Sequence, residues 1–240
     1  MVHSCRLCLE QNPLQESHII PEFFYKRLYD SKHRFLIIST DSDRKNSQKQ
    51  KGLRERLLCF DCEQKLSVFE NYGKRILLDG RRKIDFVSTG TMKISPVDYR
   101  LARLFADSML WRMSVSQNQF FSGFSLGVHE EKFRSSIRDQ NALPHNSFPC
   151  RIEAHFEAGR FLRDYIAQPE IVNGNGEDLA QFTVAGFHFV YILRRIEIEA
   201  KSAFLNESGC LFIDRVDIKS RPLLYRRWLR FGSAVKERKR

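Results

Sequence analysis

Apolar and polar positions divide this chain into unlike parts. The most polar stretch is Thr40-Asp-Ser-Asp-Arg-Lys-Asn-Ser-Gln-Lys-Gln-Lys-Gly52, which offers a core nothing to bury. Residues 40–52 therefore read as an exposed, mobile loop. A second break runs from Asp79-Gly-Arg-Arg-Lys83 to Ser95-Pro96 and suggests a module boundary near residue 90. From Val97 to Val115 the residues Leu101, Leu104, Phe105, Ser108, Leu110, Trp111 and Val115 recur at three- and four-residue steps. That period predicts a helix, with Ser95 as its cap and Pro96 at its first position. Residues 127–140 predict another, with Glu130 and Glu131 early and Arg134 and Arg138 late, as a helix dipole favours. Beyond Pro149 the texture changes to β-branched and aromatic runs. Arg151–Phe156, Phe182–Arg194 and Cys210–Val216 predict strands, and Asn173-Gly-Asn-Gly176 a turn. The expected class is α+β, with helices first and a small sheet after; no internal repeat is present.

Composition narrows the classes. Hydrophobic residues make up 42% and charged residues 29% of 240, enough for an ordinary core. No run of about 18 apolar residues exists to span a membrane. The start, Met1-Val-His-Ser-Cys-Arg-Leu-Cys8, lacks the apolar stretch of a signal peptide, so a cytoplasmic location is expected, where thiols stay reduced. The net charge of +11 is unevenly spread. Residues 1–90 carry 17 basic and 12 acidic side chains, residues 91–220 carry 15 and 16, and residues 221–240 carry 8 and 1. A neutral middle between two basic ends favours a polyanionic partner, nucleic acid first. Arg81, Arg82 and Lys83 form one basic cluster; Arg226, Arg227, Arg230, Lys236, Arg238, Lys239 and Arg240 form the other. Arginines beside Tyr225, Trp228 and Phe231 suit phosphate contact and base stacking. The same pattern suits a docked amphipathic segment whose aromatics are core, and the terminal cluster suits a solvated tail equally well.

Four of the six cysteines form two knuckles, Cys5-Arg-Leu-Cys8 and Cys59-Phe-Asp-Cys62. Paired Cys-x-x-Cys is the ligand set of a tetrahedral, all-cysteine zinc site, because two-residue spacing turns both thiolates of a knuckle toward one ion. Two unrelated pairs, or redox-active ones, are the alternatives; a redox pair wants a thioredoxin-like setting that is missing here. Fifty residues separate the knuckles, which an inserted loop at 40–52 accommodates. Cys150 and Cys210 stand alone and read as small hydrophobes. His129-Glu130-Glu131 lacks a second histidine four residues on, and no Lys-Ser/Thr follows Gly174 and Gly176, so neither reads as a site.

Between the knuckles lies Glu16-Ser-His-Ile-Ile-Pro21, and the second opens as Leu57-Leu-Cys-Phe-Asp-Cys-Glu63. This order resembles the zinc-bearing HNH endonucleases, also called ββα-metal or His-Me finger, over residues 1–72. The resemblance implies a small zinc-bound, treble-clef-like ββα-metal module at residues 1–90, followed by a mixed helix and β-sheet domain of unassigned role at 91–240. It implies structural Zn2+ on Cys5, Cys8, Cys59 and Cys62, and Mg2+ or Mn2+ for catalysis. His18 matches the general base that activates water. The family's acidic residue before that base is here Ser17, a poor Mg2+ ligand. The position after the last cysteine is Glu63, a hard ligand and the candidate catalytic carboxylate. Glu16 reaches the site only if its strand bends. Glu70 and Asn71, seven and eight residues past Glu63 on the expected helix, share its face. The implied activity is metal-dependent cleavage of DNA, in a bacterial or phage defence system, with an ATPase or other protein subunit as partner. Ser17 and Glu63 keep open a non-catalytic, zinc-stabilised module that binds nucleic acid or protein, and a structural subunit whose C-terminal domain acts.

Overall fold

The computed structural model describes residues 3–26, 28–29, 32–37, 47–50, 52–79, 83–88, 90–163, 165–174, 176–197, 203–222, 224–226 and 228–229. In chain order the elements are β1 (His3–Ser4), β2 (Gln11–Asn12), β3 (Leu14–His18), α1 (Glu22–Tyr25), β4 (Phe35–Ile37), β5 (Ser47–Lys49), β6 (Arg54–Cys59), α2 (Phe60–Leu77), β7 (Lys83–Ser88), β8 (Thr91–Ser95) and α3 (Tyr99–Val115). Then come α4 (Glu130–Arg138), β9 (Cys150–Glu157), β10 (Arg160–Phe161), β11 (Ile166–Gly174), β12 (Glu177–Val184), β13 (Phe187–Ile192) and β14 (Leu211–Asp217). The architecture is mixed α+β. No helix among the described residues is long and apolar enough to cross a membrane.

The C-terminal strands build more than a small sheet. Eight strands assemble in the order β11-β12-β13-β9-β14-β8-β7, with β10 paired to β9. All neighbours are antiparallel except β14 and β9, which run parallel. β7 and β8 come from residues 83–95, so the boundary expected near residue 90 falls between two strands that pair with each other. One buried apolar cluster also runs from Cys5 through α2 and α3 to Ile213. The run 182–194, read as a single strand, is a hairpin. Ala185 and Gly186 both take positive φ, 49° and 82°, the backbone that a tight two-residue hairpin turn requires. No polar turn residue marks it because strand is buried on either side.

Helix α3 lies at the centre. The predicted period marks a helix, but burial is not confined to one stripe: every residue from Ala102 to Met113 is buried, Arg103, Asp107 and Arg112 included. The Arg103 Nε donates to both Asp107 oxygens at 2.8 and 2.9 Å, and its Nη2 donates to the carbonyls of Ser147 and Phe148. The cap expectation also changes: Ser95-Pro96 is a cis peptide, and Asp98 caps the helix by accepting from the Leu101 N–H. The predicted second helix is a 3-10 turn at 127–129 that runs into α4. Part of the expected loop is ordered, since β5 pairs with β4 and Gly52 and Leu53 are buried; residues 40–46 and 51 lie outside the described residues.

Candidate functional site

The first knuckle forms the turn between β1 and β2. The second straddles the end of β6 and the start of α2, with Cys59 at the N-cap position and Cys62 in the first turn. Hydrogen bonds from the Arg6 N–H to the Leu57 carbonyl (3.0 Å) and from the Cys59 N–H to the Cys5 Sγ (3.3 Å) hold the knuckles together. The four Sγ atoms all lie within 4.8 Å of one another, Cys8 and Cys59 at 3.8 Å, and none is in a disulfide. Such a tetrad can hold a metal ion such as zinc. The donor set fits the ion. Burial pushes the Cys5 thiol up, but the backbone N–H groups of Cys59, Cys8 and Leu7 outweigh it and leave the thiol below its ordinary value. Burial raises Cys62, and a cation among the sulfurs would reverse that. From α4, Arg134 donates to the Leu7 carbonyl inside the first knuckle and is itself held by both Glu131 oxygens at 2.7 Å.

β3 pairs antiparallel with β6, which leads directly into α2. The register slips between Gln15 and Glu16, leaving Leu57 as an extra residue on β6. The buried Ser17 hydroxyl accepts the Leu58 N–H at 3.1 Å, so its job is to satisfy backbone beside that bulge. His18 closes β3. Its Nε2 meets the Glu22 Oε2 at 2.7 Å, and the Tyr29 hydroxyl donates to the other Glu22 oxygen at 2.6 Å. The Arg54 guanidinium stands 4.0 Å from Glu22. Burial, then Arg54, hold the imidazole below its ordinary pKa despite Glu22 and Glu70, so it is neutral at neutral pH. The side chain keeps 23% of its surface exposed.

No protein-family model, curated protein or solved structure matches the chain.

Behind His18 stands Arg112 from α3, wholly buried. It donates to the His18 and Ser108 carbonyls and ion-pairs with Glu70 at 2.7 Å. Glu63 lies about two turns before Glu70 on the same face of α2. Burial raises its carboxyl above the usual range, Glu70 adds to this, and Ser17 and Arg112 oppose it. One Glu63 oxygen is buried and receives no hydrogen bond. Glu70 is within electrostatic reach of both His18 and Glu63. Asn71 is exposed on α2, and Glu16 faces solvent in an ion pair with Arg56 at 3.3 Å, so neither joins them. Of the basic clusters, Arg226 is exposed and Lys83 lies in β7; Arg81, Arg82, Arg227, Arg230, Lys236, Arg238, Lys239 and Arg240 lie outside the described residues. Trp228 and Leu224 are buried in a second apolar cluster with Tyr165 and Ile218, which favours a docked C-terminal segment over a stacking platform for that residue. Sequence reasoning missed Glu22 and Arg112. Glu22 had a weak signal, four residues past His18 across the Ile-Ile-Pro turn. Arg112 had none, being 94 residues away.

Proposed function

We propose that residues 1–77 hold a zinc-stabilised, HNH-like endonuclease site that hydrolyses DNA phosphodiesters with His18 as general base. The observation that carries it is the His18–Glu22 pair. A carboxylate 2.7 Å from Nε2 fixes that nitrogen as the protonated one and leaves Nδ1 to accept a proton from water. The activated water oxygen attacks phosphorus in line, and the bond to the leaving sugar oxygen breaks. A divalent ion such as Mg2+ or Mn2+, when bound, neutralises charge on the scissile phosphate and on the leaving oxygen. Glu63 and Glu70 are the residues that would hold it, two carboxylates with water completing the shell, as Mg2+ tolerates; the undonated buried oxygen of Glu63 supports a cation there. In this reading Cys5, Cys8, Cys59 and Cys62 carry structural Zn2+ that clamps the strand pair to α2, and the basic excess of the chain favours phosphate.

A second reading rests on Arg112. Its guanidinium already supplies a buried positive charge to Glu70, and Ser17 is engaged with backbone. A site so neutralised suits a non-catalytic module that binds nucleic acid or protein. Supercoiled plasmid incubated with Mg2+ or Mn2+ separates the two. Nicking by the wild type that falls by about 100-fold or more in His18→Ala supports hydrolysis. Retarded DNA without nicking by either protein supports the binding module.

A further inference from the structure

The antiparallel register of β9 and β13 sets Glu153 opposite His188, and the two-residue period of β9 sets His155 on the same face. All three are buried, at 2%, 1% and 0% exposure. One ligand atom from each lies within 4.8 Å of the others, the only such grouping among the described residues besides the cysteine tetrad. We propose that Glu153, His155 and His188 bind a divalent transition-metal ion of the zinc class, at a site separate from the cysteines.

The surroundings are those of a prepared ligand set. The His155 Nδ1 meets the Tyr165 hydroxyl at 2.6 Å, and the His188 Nδ1 meets the Thr183 hydroxyl at 3.0 Å. Each ring is thus oriented through one nitrogen, and Nε2 is the nitrogen left to coordinate, the arrangement metal-bound histidines show. The rings stack with centroids 4.8 Å apart and 28° between their planes. Glu153 is fixed in the same way: its Oε1 accepts from Arg221 at 2.7 Å and pairs with Arg151 at 3.1 Å. The Glu153 Oε2 and the His155 Nε2 are both buried without a hydrogen bond, 3.8 Å apart. Two ligands each about 2.1 Å from one ion stand roughly 3.4 Å apart at a tetrahedral angle, so the pair needs little adjustment. A buried polar atom left without a partner is destabilising, and one cation satisfies both.

Ligand chemistry selects the ion. Two imidazoles and one carboxylate suit Zn2+, Fe2+ or Co2+; Mg2+ and Ca2+ prefer oxygen alone. The arginines do not forbid a cation, because both are more than a third exposed and bind the far carboxylate oxygen. Burial gives the ion a structural task. It joins two central strands of the large sheet to the segment of Tyr165 and Arg221, over which Leu224 and Trp228 pack.

The test is elemental analysis of the purified full chain beside His188→Gln, His155→Gln and Cys8→Ser. The expected result is two equivalents of transition metal per wild-type chain, with one lost in either histidine variant and that same equivalent kept in Cys8→Ser. Metal content unchanged by both histidine substitutions overturns the proposal. Should those variants misfold, Co2+ titration of metal-stripped wild type decides. A second equivalent binding without thiolate-to-cobalt charge transfer supports the site; saturation at the thiolate-bound equivalent alone overturns it.

Discussion

His18 is held from three directions: Glu22 at its ring, Arg54 beside that carboxylate and Arg112 at its carbonyl. Its depressed pKa sets the sign of a pH effect. A base whose pKa lies below its ordinary value stays unprotonated further into acid, so nicking should hold from pH 8 down to about 6.5 and fall only below it. Glu22 raises that pKa, so Glu22→Gln should move the acid limb to still lower pH while reducing the maximal rate; a pH–rate series on supercoiled plasmid reads both. A stability prediction attaches to Asp107. It is the buried partner of Arg103, and its removal leaves a guanidinium uncompensated in the core. Asp107→Ala should lower the unfolding free energy by about 3–5 kcal/mol in urea denaturation. Neither arrangement was legible in the sequence: Arg103 and Asp107 sit off the apolar stripe of the helical period, Arg112 lies within it, and all three are buried because nearly every position in the middle of α3 is covered.

Among the elements, α2 packs against α3 at Gly73. A Cβ built there would stand 2.5 Å from the Phe105 ring, which is itself buried and unable to yield. Helix propensity alone favours Ala over Gly by about 1 kcal/mol, while overpacking a rigid core costs about 1–3 kcal/mol. At so short a separation the clash wins. Gly73→Ala should therefore lower the denaturation midpoint, the reverse of the usual helix effect. The hairpin β12–β13 shows why periodicity misread 182–194. From Phe182 to Tyr191 the hairpin is buried on both faces, so alternation vanishes and the run looks continuous. Only the φ values at Ala185 and Gly186 reveal the turn.

At the scale of the molecule, the N-terminal site depends on elements beyond residue 90. Arg134 of α4 holds the first knuckle through the Leu7 carbonyl, and Arg112 of α3 holds the His18 carbonyl. On the proposed zinc reading, Arg134→Ala touches no sulfur, yet should weaken the ion's hold by about tenfold. Competition with a chromogenic chelator measures this. Complete removal of the ion should lower the thermal midpoint of the whole chain in one cooperative step, because a single buried cluster joins the cysteines to the large sheet.

The sequence by itself determined the cysteine tetrad, the helical character of α3 and α4, and the strand character of β9, β13 and β14. Knuckle spacing is local, and a metal-ligand pair needs only a turn of the right length, whatever separates it from its partner. It also placed Glu63 and Glu70 on one helical face, since 3.6 residues per turn is a property of the backbone. Tertiary structure alone decided that Ser17 serves the β6 bulge, that Arg112 stands behind His18, and that Glu153, His155 and His188 converge. Those contacts join residues far apart in the chain, through strand register and helix packing. Register and packing are chosen by the burial of whole surfaces, and no short motif encodes them.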